Sequence, residues 1–242
     1  MWISPDEHGL PPGAPRCMLA AMHIVAETMF STSQLKEKFR PQLDAETPEQ
    51  WRVRIHRAIS WLVRSEQEHE DTDARFIFQW IALNAVYAQA FSDTTERERA
   101  RRFIDTLVAL DVQGRLHDVL FSQFSGPIRT LLDNHFVFEP FWIALRDHDS
   151  SDYWERSFKA SRKVALSAVM SGDTAVVLSV VFDRLYVLRN QLVHGGATWN
   201  SRVNRNQLKD AVAILGALVP VVIAVMLEHP DADFGEVLYP VV

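Results

Sequence analysis

The chain has 242 residues, enough to build a substantial hydrophobic core without disulfide or metal staples. Hydrophobic residues make up 48% and charged residues 23%, which excludes a disordered tail, and the single cysteine, Cys17, excludes a disulfide framework or an all-cysteine zinc site within one chain. With 25 basic against 31 acidic residues the net charge is −6, so the chain as a whole has no attraction for nucleic acid.

The first residues show no cationic region followed by an apolar run, so a secretory signal is not expected and a cytoplasmic location is. Four prolines and two glycines between Pro5 and Pro15 predict an extended arm over residues 1–16, followed by one all-α domain over 17–242. Trp51, Ile55, Ile59 and Leu62 recur with the period of a helix that follows Pro48. Phe76, Trp80, Leu83, Asn84 and Tyr87 form a second stripe between Asp73 and Asp93. Thr95 and Glu98 have the spacing of a capping box for a third helix carrying Phe103, Leu107 and Leu110. Gly114 and the run Ser125, Gly126, Pro127 punctuate two shorter segments, and Pro140 is expected to interrupt a further one.

Beyond the polar stretch from Asp147 to Asp152, helices are predicted over about Tyr153–Met170, Thr174–His194 and Asn204–Leu227. The pair Gly195 and Gly196 is placed to end the second of these, because glycine takes the left-handed conformation at a helix C-terminus. Valine and isoleucine leave a strand within Ala175–Phe182 open, but no strict alternation supports one. Ala211 to Leu227 carries no charge over seventeen residues, the lower limit for a membrane span. Gly216 and Pro220 within it, and the lack of a flanking Lys/Arg cluster, favour a buried helix, in the core or against a partner subunit, and no membrane association.

Several chemistries are missing from the sequence. There is no glycine-rich phosphate loop, no Gly-x-Ser-x-Gly elbow and no His-Glu-x-x-His pair. The acidic runs Glu66–Asp73 and Asp147–Asp152 lack the glycine and spacing of a calcium loop, and they read as solvated helix ends and turns. No cofactor or metal is expected.

The informative stretch runs from Arg184 to Gly196. Arg184, Arg189, Arg202, Arg205 and Lys209 fall in a segment without a single carboxylate, which suggests a local anion site in an otherwise acidic chain. Asn190 and His194 are four apart and share a helix face. Arg189 precedes His194 by five positions, about 140° around a helix, so guanidinium and imidazole do not converge on one straight helix. Two routes bring them together: a helix that loosens at the glycines, or a symmetric dimer in which a second copy supplies one of the pair. Imidazole and guanidinium suit phosphodiester cleavage, since one moves protons and the other holds a charged phosphorane-like transition state.

Arg189-Asn190-x-x-x-His194 resembles the Arg-x(4–6)-His signature of the HEPN superfamily, with a polar residue directly after the arginine. The longer string from Arg189 to Gly196 is similar to the ApeA-like branch of bacterial HEPN proteins, and Phe78–Tyr87 resembles a helix of that branch. The resemblance is specific over about Arg184–Met226. It implies a HEPN-type helical bundle, with additional N-terminal helices, that forms a homodimer with both motifs lining one cleft. It also implies a metal-independent endoribonuclease leaving a 2′,3′-cyclic phosphate, at work in toxin–antitoxin, antiviral defence or stress systems, with an antitoxin or regulatory protein as a possible partner. Carried onto this chain, His194 moves protons, Arg189 stabilises the phosphate and the transition state, and Asn190 orients the phosphate or the histidine. Charge alone adds Arg184, Arg202, Asn204 and Arg205 as RNA-binding candidates. The alternative is a non-catalytic HEPN dimer that binds RNA or protein through the same cleft.

Overall fold

The computed structural model describes residues 30–43, 46–88, 96–202 and 205–240, and among them it is all-α, with no strand. The expected arm over 1–16, Cys17, and Thr95 of the expected capping box lie outside the described residues. Three of the described α-helices begin where a side chain satisfies their first amide groups. Ser31 and Gln34 form a reciprocal capping box for α1 (Thr32–Phe39). Helix α2 (Glu49–Glu66) follows Pro48, and Asp71 accepts from the Ala74 N–H to start α3 (Thr72–Tyr87). The five-residue link makes α2 and α3 an antiparallel hairpin, in which Trp61 stacks on Phe78 with ring centroids 5.7 Å apart.

Helix α4 (Glu96–Leu110) leads through left-handed Gly114 into one helical turn, Arg115–His117, and a π-helical stretch, Asp118–Gln123. Two short helices follow, α5 (Ser125–Asp133) and α6 (Glu139–Arg146). Pro140 opens α6 instead of interrupting it: at the first turn its missing N–H leaves no helix bond unmade. Helix α7 (Tyr153–Ser171) stops at Gly172, whose φ of 70° is left-handed. Asp173 then caps α8 (Thr174–Val193) by accepting from the Val176 N–H. Ala175–Phe182 is therefore helical, and the strand left open there does not form.

The core centres on α9 (Arg205–Glu228), in which every residue from Ala217 to Leu227 is buried. Helices α1 to α5 pack around it, so the uncharged segment is the interior rod of the bundle. Its length and composition match those of a membrane-crossing helix, but its apolar surface is covered by the chain's own helices. Arg115 fastens its C-terminal end, donating to both carboxylate oxygens of Glu228 at 2.9 and 2.6 Å and to Asp111 at 3.1 Å, with Lys38 Nζ 3.5 Å from Glu228. The chain then returns over α2. Arg54, buried in that helix, donates to the carbonyls of Phe234 and Gly235 at 2.6 and 3.0 Å, and its burial pushes the guanidinium pKa down to about 10.

Candidate functional site at the end of helix α8

Helix α8 delivers the motif at its C-terminal end. Its inner face, including Val181, Leu185 and Leu188, is buried, which leaves Arg189 and Asn190 half-buried and His194 exposed. The helix ends at Val193. His194 caps it with a ψ of 12°, its N–H donating to the Asn190 carbonyl at 3.0 Å, and Gly195 then turns at a φ of 70°. Arg189 Nη1 donates to Asn190 Oδ1 at 2.8 Å, and its guanidinium lies 5.8 Å from the centre of the Tyr186 ring. No hydrogen bond, ion pair or ring contact joins Arg189 to His194, and among the described residues no carboxylate pairs with either. Tyr186 was not among the sequence candidates, although its position three residues before Arg189 is the helical spacing that puts the two side chains together.

The four RNA-binding candidates separate. Arg184 is a correction: at 2% exposure it lies inside the fold, between the Phe138 and Phe158 rings at 4.5 and 5.4 Å. It donates to the Val137 carbonyl at 3.4 Å and to Ser161 Oγ at 3.3 Å, and burial pushes its pKa down to about 10. A guanidinium so enclosed cannot reach a phosphate. Arg205 is a second correction. Its Nη1 donates to Asp73 at 2.8 Å and its Nε to the Ser201 carbonyl at 3.0 Å, so its charge is spent within the fold. Arg202 is exposed, and Asn204 lies outside the described residues.

The acidic run from Glu66 to Asp73 acts as structural caps and anchors. Glu66 accepts from Thr32 Oγ1 at 2.7 Å, and Asp71, besides capping α3, accepts from Trp199 Nε1 at 2.9 Å. Asp73 holds Arg205 and the Asn200 N–H, so two carboxylates at the start of α3 moor the loop that follows His194. Asp149 in the second acidic run accepts from the Ser151 N–H and hydroxyl, closing a turn. Among the described residues no three His, Cys, Asp or Glu side chains gather as they would around a metal ion.

A third anchor holds the other side of the motif. Gln191 Nε2 and Trp142 Nε1 both donate to the Phe136 carbonyl, at 2.6 and 2.7 Å. Phe136 and Trp142 remain exposed there, and Val193 is exposed next to the histidine in the chain. Comparison of the chain with protein-family models, with curated proteins and with solved structures finds no match in any of the three.

Proposed function

We propose that the chain is a metal-independent endoribonuclease of HEPN type, working as a homodimer in a cytoplasmic defence, toxin–antitoxin or stress system. The observation that carries this reading is the state of the motif: Arg189 is held by Asn190 and His194 stands exposed at the helix end, and no carboxylate among the described residues neutralises either. A structural arginine in this fold looks different, as Arg184 and Arg205 do. Because Arg189 and His194 do not touch within one copy, the shared cleft of a dimer is the arrangement that brings an imidazole to a guanidinium, and the exposed apolar side chains of Phe136, Trp142 and Val193 supply adjoining contacts.

In this mechanism the 2′-hydroxyl of the RNA attacks the neighbouring phosphorus. His194 takes up the hydroxyl proton, the bond to the 5′ oxygen breaks with a proton returned to that oxygen, and a 2′,3′-cyclic phosphate remains. Arg189 holds the extra negative charge of the phosphorane, and Asn190 keeps the guanidinium aimed. DNA lacks the attacking hydroxyl and is not cleaved this way.

The test is incubation of the purified protein with transfer RNA and mixed single-stranded RNA in EDTA, beside Arg189→Ala and His194→Ala. Cleavage by wild type alone, with cyclic ends, is the expected result. No cleavage together with retained RNA binding supports the non-catalytic dimer instead, and equal cleavage by all three proteins removes the motif from the mechanism.

A further inference from the structure

A second site lies away from the motif, where α2, α3 and α9 meet. A cavity of about 510 Å³ opens there, within the size range of small-molecule sites. Its lining comes from one face of each helix: Leu62, Ser65 and Glu66 on α2, Arg75 and Gln79 on α3, and Lys209, Val212, Gly216 and Pro220 on α9. Asp73 meets Arg205 and Gln79 lies against Gly216, so α3 and α9 run in the same direction. That register puts Arg75 and Lys209 at one end of the cavity, and Gln79, Gly216 and Pro220 at the other.

The two ends have different chemistry. At the first, neither Arg75 nor Lys209 has a carboxylate partner among the described residues, and Arg75 Nε is buried without an acceptor among them, while Glu66 is engaged by Thr32. At the second, Gln79 is 1% exposed and its Oε1 is buried with no hydrogen-bond donor. Burying an amide oxygen unpaired is costly, and a group that enters the cavity with an N–H removes that cost. Gly216 keeps room for this amide, since a Cβ at that position would lie 3.1 Å from Gln79 Nε2. Pro220 has no N–H, so the helical bond to the Gly216 carbonyl four residues earlier cannot form. Between the two ends the lining is apolar, with Leu62, Val212 and Phe124.

We infer that this cavity binds a small organic anion with an apolar, N–H-bearing ring: the anionic group meets Arg75 and Lys209, the ring lies between Leu62, Val212 and Phe124, and its N–H donates to Gln79 Oε1. The inference does not depend on the ribonuclease reading, because the cavity shares no residue with Arg189, Asn190 or His194.

Isothermal titration of the full chain with three probes tests it. Indole-3-acetate carries both the anion and the ring N–H, naphthalene-1-acetate lacks the N–H, and indole lacks the anion. Indole-3-acetate is expected to bind at one site per chain, about tenfold more tightly than either of the others, the ratio that one net hydrogen bond or charge contact gives. Lys209→Ala, a change at an exposed position, removes the advantage over indole. Gln79→Met, which fills the same space without an amide, removes the advantage over naphthalene-1-acetate. Absence of binding by all three probes overturns the inference, as does binding that neither substitution alters. Both variants are checked for wild-type helical content by circular dichroism, so that a lost fold is not read as a lost site.

Discussion

Asn190 is bonded to both other members of the motif: its side-chain oxygen accepts from Arg189 Nη1 at 2.8 Å, and its backbone carbonyl accepts the N–H of His194 at 3.0 Å. One residue thus sets the direction of the guanidinium and the point at which the helix releases the histidine. Asn190→Ala leaves the backbone bond and removes the side-chain one. Under the ribonuclease reading, single-turnover RNA cleavage falls about tenfold to a hundredfold, because the arginine is no longer held in a working geometry. The thermal midpoint falls only slightly, since the lost bond is a single, partly exposed one between neighbouring side chains. Unchanged cleavage would show that Asn190 has no part in positioning.

Arg184 supports the fold through its packing between two phenylalanine rings. Arg184→Ala empties that space and is expected to cost about 2–4 kcal/mol in urea unfolding. Arg184→Met refills the space without a buried charge and is expected to restore most of the loss. Affinity for RNA, measured by filter binding on the Met variant, stays as in wild type. A selective loss of RNA binding would return Arg184 to the surface chemistry that its position in the basic segment suggested.

How legible this was in the sequence varies by feature. The three C-terminal helices are legible to within about a residue of their observed ends, because apolar periodicity, the Asp147–Asp152 break and the Gly195–Gly196 pair act locally and agree. The roles of Arg184 and Arg205 were not legible. Arg205 owes its role to Asp73, 132 positions away, and Arg184 to phenylalanines on other elements, and no local pattern in the sequence records such a pairing. Gln79 is legible only in part: its place on the stripe of Phe76, Leu83 and Tyr87 marks it as a polar residue facing the core, but nothing local shows that its amide oxygen lacks a partner.

The mooring of the loop after His194 gives a third expectation. Asp73→Asn weakens the bond to Arg205 and the hold on the Asn200 N–H. Amide hydrogen exchange across 197–202 should accelerate, with a stability loss of about 1–3 kcal/mol. Exchange that stays at the wild-type rate would mean that Trp199 and Asp71 hold the loop alone.

Acid stability follows from two carboxylates. The Arg115 fork holds Glu228 below its ordinary value of 4.5, and the Ala74 N–H holds Asp71 below 3.8, with Trp199 adding to it. In the unfolded chain both groups take up protons first as the pH falls. Their stabilising contribution is therefore complete above about pH 5 and is lost as the pH drops from the unfolded values through the lower folded ones. Melting temperatures measured from pH 6 to pH 2.5 should fall across that window, and Glu228→Gln should flatten the slope. A wild-type slope in the variant would assign the acid sensitivity to other groups.

The enclosure of α9 has a consequence for how the chain is made. The segment that α1 to α5 pack against is translated after all of them, so the apolar faces they turn toward α9 emerge from the ribosome uncovered. Until Arg205–Glu228 arrives, those faces are sticky half-surfaces that a chaperone would bind, and the bundle can close only after this helix has been made. The loop that follows His194 is moored through Arg205, the first residue of α9, so it too is held only once that helix is in place.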